Sequence, residues 1–221
     1  MKQHLYFMPG LAADKAIFEH IRLPKETFEI HFLEWKIPNS KEQSLSSYVQ
    51  NLVKDIKHSN AVLIGVSFGG IIVQEMQKYY QPKQVIIISS VKHENELPAR
   101  LQLVRKTKAY KLTPIKILTN IEQFAKYAFG DFAKQRAKLY KKYLSVRNKT
   151  YLQWAIYQVL HWKQTLPNDH IIHLHGDKDV IFPIKNISNC IVIKDGTHIM
   201  ILNKAKKISQ ILQEVITFDE K

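Results

Sequence analysis

Short hydrophobic runs alternate along much of this chain with segments in which hydrophobic residues recur every three or four positions. The short runs are typical of buried strands, and the recurring positions are typical of helices with one apolar face. Strands are predicted at residues 2–8, 28–33, 61–66, 85–88, 171–175 and 190–193. Strands that alternate with helices predict an α/β fold, with a mostly parallel central sheet and helices on both faces.

Helices are predicted between most of these strands. A short helix is expected at residues 14–22, and the apolar positions from Leu45 to Ile56 share one helical face. Residues 71–80 contain no helix-breaking residue and follow the third strand. A closing helix presents an apolar face from Ile208 to Ile216.

Residues 91–167 interrupt the alternation. They contain no strand-like run, and helical patterns occur near 101–105, 117–125, 131–146 and 151–162. Aromatic residues are frequent there, and we expect most of them to pack helices together and a few to cover an apolar pocket. The pattern predicts one core domain built from residues 1–90 and 168–221, with residues 91–167 as a helical cap inserted within it.

The segment Gly65-Val66-Ser67-Phe68-Gly69 follows a predicted strand and precedes a predicted helix. It fits G-x-S-x-G, a pattern in which a sharp turn exposes a nucleophilic serine above a sheet. Glycines on both sides fit a tight turn, and a helix N-terminus below Ser67 would favour developing negative charge. The alternative is a plain strand–glycine–helix turn whose serine does no chemistry.

A serine hydroxyl becomes a nucleophile when a base takes its proton, and a carboxylate usually orients that base. Two later strands end in loops that carry such groups. We predict Asp179 as the acid and His198 as the base for Ser67. Asp177 and Asp195 are the alternative acids. His173 and His175 lie on a strand and at its exit, and we expect them to be structural.

Four segments together resemble the α/β-hydrolase superfamily, in the chain order Ser, Asp, His. They are YFMPGL at 6–11, GVSFGG at 65–70, HGDKDVIFP at 175–183 and DGTHIMILNKA at 195–205. The first is similar to the strand and oxyanion loop, the second to the nucleophile elbow, and the last two to the loops of the acid and the base. Together they span roughly residues 2–90 and 168–216.

The resemblance also implies an oxyanion hole formed by the backbone N–H groups of Leu11 and Phe68. Many relatives have His-Gly in the oxyanion loop, where this chain has Pro9-Gly10. The contact comes from a backbone N–H, so the reaction class does not depend on that side chain. Ser67 excludes relatives with an aspartate at the elbow, such as haloalkane dehalogenases and soluble epoxide hydrolases.

The formal net charge of +14 is concentrated in one part of the chain. Residues 91–165 hold 16 Lys and Arg against 4 Asp and Glu. The rest of the chain holds 17 Lys and Arg against 15 Asp and Glu. A solvated lysine-rich surface, a rim that attracts an acidic substrate, and a peripheral contact with an anionic membrane all fit this excess. Nucleic acid is not a predicted partner, because no helix-turn-helix, RNP or KH pattern accompanies the charge.

Neither a metal nor an organic cofactor is predicted. The chain has one cysteine and no H-x-x-x-H or paired-cysteine spacing. No motif surrounds His4, His20, His31, His58 or His93. Glycine-rich phosphate loops are also missing from the sequence. A single cysteine, no signal-peptide pattern and no long apolar run predict a cytoplasmic protein.

These features predict a serine hydrolase that cleaves a small-molecule carboxylic ester or thioester through an acyl-enzyme. Carbon–carbon hydrolases and hydroxynitrile lyases also use a serine, so these activities stay possible. Cleavage of an amide bond stays possible as well. A ligand-sensing or partner-binding protein on the same fold, with little turnover, is the alternative from another class. A hydrolase of lipid surfaces that uses the basic insertion to bind the membrane is the third.

Overall fold

A computed structural model of the chain describes residues 2–112, 142–164 and 170–216. Its strands are β1 (Gln3–Met8), β2 (Phe28–Phe32), β3 (Val62–Val66), β4 (Gln84–Ile88), β5 (Ile172–Gly176) and β6 (Ile191–Ile193). All six predicted strands are present, within one or two residues of the predicted ends. No helix in these three stretches is long and apolar enough to cross a membrane.

The six strands form one sheet in the order β2-β1-β3-β4-β5-β6, and every neighbouring pair is parallel. β3 is buried over its whole length, as expected when helices cover both faces of a parallel sheet. The α/β fold with a parallel central sheet predicted from the sequence is therefore confirmed. Since parallel strands share one carboxyl edge, the loops after β3, β5 and β6 meet there.

The described residues contain six α-helices. They are α1 (Leu45–Val53), α2 (Phe68–Met76), α3 (Ala99–Thr107), α4 (Lys149–His161), α5 (Met200–Asn203) and α6 (Ala205–Val215). α1 contacts α2, which lies against β3, whereas α5 contacts both α6 and a 3-10 turn at Lys15–Phe18. That 3-10 turn takes the place of the short helix predicted at residues 14–22.

The second difference concerns the helix after the third strand. It begins at Phe68 rather than at residue 71, so Gly69 and Gly70 lie in its first turn. Glycine propensity argues against a helix there, but close packing of this turn on the sheet outweighs propensity. The earlier start places the helix N-terminus directly at Ser67.

Residues between β4 and β5 hold α3 and α4, which contact each other. No strand occurs in the described part of this insertion. The patterns near 101–105 and 151–162 correspond to α3 and α4, whereas those near 117–125 and most of 131–146 lie outside the described residues. Trp154 of α4 is fully buried and its ring meets Tyr48 and Phe68, so α4 packs directly on the core. The division into core and cap stays a prediction.

Candidate active site

The backbone at Ser67 is strained in the way that a sharp strand–helix turn requires. Ser67 has φ 53° and ψ −119°, a region that residues other than glycine seldom occupy. A Cβ added at Gly65 would lie 2.3 Å from the carbonyl oxygen of Gly69, and one at Gly69 would lie 2.4 Å from that of Met8. Glycine is therefore required at both positions. The turn is held where Ser90 Oγ donates to the Ser67 carbonyl oxygen over 2.7 Å.

The structure brings Ser67, His198 and Asp179 into one hydrogen-bonded chain. Ser67 Oγ lies 2.9 Å from His198 Nε2, and His198 Nδ1 lies 2.9 Å from Asp179 Oδ2. A carboxylate only accepts, so Nδ1 carries the proton and Nε2 accepts from the serine hydroxyl. Asp177 is exposed, and Asp195 forms a surface ion pair with Lys178. Of the three aspartates considered, the fold places Asp179 against the histidine.

Asp179 is buried and held as a charged carboxylate. Its Oδ1 accepts hydrogen bonds from the N–H groups of Ile181 (2.8 Å) and Phe182 (2.9 Å). Burial acts to raise the pKa of the Asp179 carboxyl, but His198 and the Phe182 N–H outweigh burial and hold the pKa below its ordinary value. Asp179 therefore stays negative at neutral pH and can stabilise an imidazolium at His198.

Two further histidines stand behind Asp179. His175 Nε2 donates to the Phe182 carbonyl oxygen over 2.8 Å and lies 3.6 Å from Asp179 Oδ2. With that nitrogen protonated, its Nδ1 accepts from His173 Nε2 over 3.0 Å. Burial lowers the pKa of both rings, and that of His173 lies well below its ordinary value. Both histidines are therefore neutral. His175 thus holds the loop that carries Asp179. The position of His175 in the sequence did not reveal this contact.

Leu11 and Phe68 line the cavity beside Ser67, where the resemblance placed the oxyanion hole. A Cβ at Gly10 would lie only 3.4 Å from Ser67 Cβ, so the first loop touches the elbow. Phe68 is the first residue of α2, where N–H groups have no partner within the helix. Both residues therefore lie next to Ser67, and the role of their N–H groups as oxyanion donors stays a prediction.

Trp35 ties these two segments together. Its Nε1 donates to the Gly10 carbonyl oxygen over 3.0 Å, and its ring stacks on that of Phe68 with centroids 5.1 Å apart and planes 7° apart. Both proposed oxyanion donors are thus positioned by one side chain. The sequence analysis did not single out Trp35, because no motif marks it and its partners are distant in sequence.

Ser67 and His198 open into a cavity of about 360 Å³. Its walls are mainly apolar, and the lining includes Leu101 and Val104 of α3 and Ile156 and Val159 of α4. The insertion therefore supplies much of the wall around the serine. Arg100 also lines the cavity, and its guanidinium donates to the carbonyl oxygens of Val180 and Ile181 next to the acid loop. Of the predicted aromatic covering, Tyr143 lines the cavity among the described residues.

Solved structures with the same fold come from several organisms. A carboxylesterase of Nitrososphaera gargenis is 15% identical with a TM-score of 0.65, over 96% of this chain and 89% of that chain. A putative non-heme bromoperoxidase, BpoC of Mycobacterium tuberculosis H37Rv, is 12% identical with a TM-score of 0.67, over 97% and 91%. The enol-lactonase of Burkholderia xenovorans LB400 is 10% identical with a TM-score of 0.65, over 97% and 91%.

At these identities the likeness establishes the α/β-hydrolase fold and not the activity. Comparison with curated proteins gives no match. The profile of an uncharacterised protein family, UPF0227, matches residues 17–150, which is more than half of the chain and includes Ser67. On that match, this α/β-hydrolase-fold chain belongs to the family UPF0227.

Proposed function

We propose that this protein is a serine hydrolase that cleaves a carboxylic ester or thioester through an acyl-enzyme. The observation that carries the proposal is the hydrogen-bonded chain Ser67–His198–Asp179 at the mouth of an apolar cavity. The carboxylesterase and the enol-lactonase with the same fold support this reaction class.

In the first step Ser67 Oγ attacks the carbonyl carbon while His198 Nε2 takes the hydroxyl proton. Asp179, held charged by its hydrogen bonds, stabilises the imidazolium that forms. The negative charge moves to the carbonyl oxygen, which accepts from the N–H groups of Leu11 and Phe68. Because Phe68 opens α2, the positive end of the helix dipole adds to this stabilisation.

The imidazolium then gives its proton to the leaving alcohol or thiol as the bond to the carbonyl carbon breaks. A water molecule replaces the leaving group, and His198 takes one of its protons as the water attacks the acyl-enzyme. Collapse of the second tetrahedral intermediate releases the carboxylic acid and returns the proton to Ser67. The enzyme is restored, and one water is consumed for each bond cleaved.

The cavity favours substrates with an apolar acyl or alcohol group. Its volume of about 360 Å³ is near the lower end of the range for small-molecule sites. Arg100 brings a positive charge to the lining, but two carbonyl oxygens already accept from its guanidinium. Preference for an acidic substrate therefore stays a prediction. Contact with a membrane surface and a cytoplasmic location also stay predictions.

A fluorophosphonate probe followed by intact mass measurement tests the nucleophile. We expect a single adduct on wild type and on the control Ser47→Ala, an exposed serine of α1, and none on Ser67→Ala. Turnover of activated esters and thioesters should fall by at least about 10⁴-fold in Ser67→Ala. Unchanged labelling or turnover in that variant would overturn the mechanism. A folded wild type that binds ligands without turnover would favour the sensing alternative.

A further inference from the structure

Three histidines from distant parts of the chain meet at the amino-terminal end of the sheet. His4 of β1 pairs in register with Glu29 of β2, and Tyr6 pairs with His31, so all four side chains lie on the same face of the two strands. His58 reaches them from the connection between α1 and β3. The first two histidines are 27 residues apart, which explains why no spacing motif marks the cluster.

The ligand atoms of this cluster lie close to the separations of a zinc site. His4 Nδ1 is 3.1 Å from His31 Nε2, and one ring nitrogen from each of the three histidines lies within 4.8 Å of the others. Neighbouring ligand atoms in a tetrahedral site with Zn–N bonds of 2.0–2.1 Å are roughly 3.4 Å apart. The first pair therefore needs almost no adjustment, and the third nitrogen needs a shift of at most about 1.4 Å.

A carboxylate is available as a fourth ligand. The two oxygens of Glu29 lie 3.8 Å from His4 Nδ1 and 3.8 Å from His31 Nε2. The Glu29 side chain is half exposed, whereas those of the two histidines are about a quarter exposed. An ion can therefore enter from solvent on the Glu29 side.

The groups around His58 hold it as the outer partners of metal-bound histidines do. Its Nδ1 lies 2.8 Å from Tyr6 Oη, which also accepts from the backbone N–H of Lys57. The backbone carbonyl oxygen of His58 accepts a hydrogen bond from Tyr80 Oη. A ligating histidine usually gives its other ring N–H to such an oxygen, so Tyr6 would leave Nε2 of His58 as the ligating atom.

We infer that His4, His31 and His58, with Glu29 as the fourth ligand, form a binding site for Zn²⁺. Imidazole nitrogens favour zinc and other late first-row ions over Mg²⁺ and Ca²⁺, which prefer oxygen ligands. The proton shared by His4 Nδ1 and His31 Nε2 moves to the opposite nitrogen of its own ring. The rings of His4 and His58 stack with centroids 3.5 Å apart and planes 9° apart. Zinc binding therefore requires the His58 ring to tilt out of this stack while Nδ1 keeps its hydrogen bond to Tyr6 Oη.

This site is separate from the proposed active site. The strands are parallel, and His4 lies at the start of β1, whereas the loop that touches Ser67 follows the end of that strand. The rise along β1 from His4 to Met8 is about 13 Å. The ion would join β1, β2 and the α1–β3 connection, so its effect is on stability and not on the chemical step.

Isothermal titration of tag-free, chelator-treated protein with Zn²⁺ tests the inference. We expect one equivalent to bind wild type, Ser67→Ala and the control His20→Ala, an exposed histidine outside the cluster. Binding should weaken at least about tenfold in His31→Ala and in His58→Ala. With Zn²⁺ 100-fold above the wild-type Kd, the wild-type Tm should rise by roughly 5–10 °C, and the Tm of those two variants should rise by at most about half as much.

Co²⁺ in place of Zn²⁺ gives a second readout that does not depend on the variants. A tetrahedral visible spectrum from one bound Co²⁺, displaced by one equivalent of Zn²⁺, supports the site. No binding to wild type would overturn the inference. So would full binding in His31→Ala and His58→Ala together with loss in His198→Ala, because the ion would then sit at the active site.

Discussion

The strained backbone at Ser67, the proposed nucleophile, predicts that this residue lowers the stability of the fold. Its φ of 53° and ψ of −119° lie in a sparsely populated region of backbone conformation, at a cost of about 1–3 kcal/mol for a residue with a Cβ. Glycine has no Cβ and removes this cost. Alanine keeps it. Both Ser67→Gly and Ser67→Ala also lose the hydroxyl that donates to His198, so comparing the two variants isolates the backbone effect.

The magnitude follows from two opposing contributions. Glycine gains the about 1–3 kcal/mol of released strain but loses about 0.4–1 kcal/mol, because its unfolded chain is more flexible. With both contributions near the middle of their ranges, about 2 and about 0.7 kcal/mol, Ser67→Gly should be more stable than Ser67→Ala by about 1–2 kcal/mol. For a domain of this size that difference is a Tm roughly 2–8 °C higher.

Thermal unfolding followed by circular dichroism measures the difference, and ester hydrolysis checks that both variants are inactive. Ser47 in α1 is the matched control, since it is exposed and helical. There glycine should be less stable than alanine by about 0.5–1 kcal/mol, so the sign is reversed. A Ser67→Ala protein as stable as Ser67→Gly would refute the argument, because the turn would then store no strain.

Three further predictions concern the surroundings of the nucleophile. Asp179→Asn should lower kcat by about 10⁴-fold because the His198 tautomer is lost, whereas exposed Asp177→Asn should change steady-state rates less than about threefold. Trp35→Phe removes the hydrogen bond to the Gly10 carbonyl oxygen, so kcat should fall more than KM rises in steady-state assays. Burial lowers the pKa of His173, so the free energy of unfolding should fall as pH drops below about 6.5, by at most about 1.4 kcal/mol per pH unit. Urea titrations at pH 7 and pH 5.5 measure this loss of stability, which should be smaller in His173→Asn than in wild type.

Local patterns in the sequence were sufficient to predict the sheet, and together with the family resemblance they pointed to three candidate site residues. Buried strands such as Val62–Val66 are recognisable because apolar runs have a local cause, and Ser67 and His198 lie in loops that follow such runs. The structure places these two side chains and Asp179 in contact, and their catalytic role stays a prediction.

Contacts between distant residues could not be predicted in the same way. Trp35 reaches Gly10 and Phe68, and His175 reaches Asp179, through the packing of separate loops. The start of α2 at Phe68 also depends on packing, because two glycines argue against a helix locally. The histidine cluster depends on strand register, which a single sequence does not fix.

The position of the insertion has a consequence for how the protein folds. β4 and β5 are neighbours in the sheet although about 80 residues lie between them in the chain. Closing a loop of that length costs roughly 4 kcal/mol of chain entropy, so this pairing should form late. Until it does, the apolar β4 presents an open edge, and the emerging chain is exposed to aggregation during synthesis. Asp179 and His198 both follow this pairing, so recovery of hydrolysis on refolding would report the last step of sheet assembly.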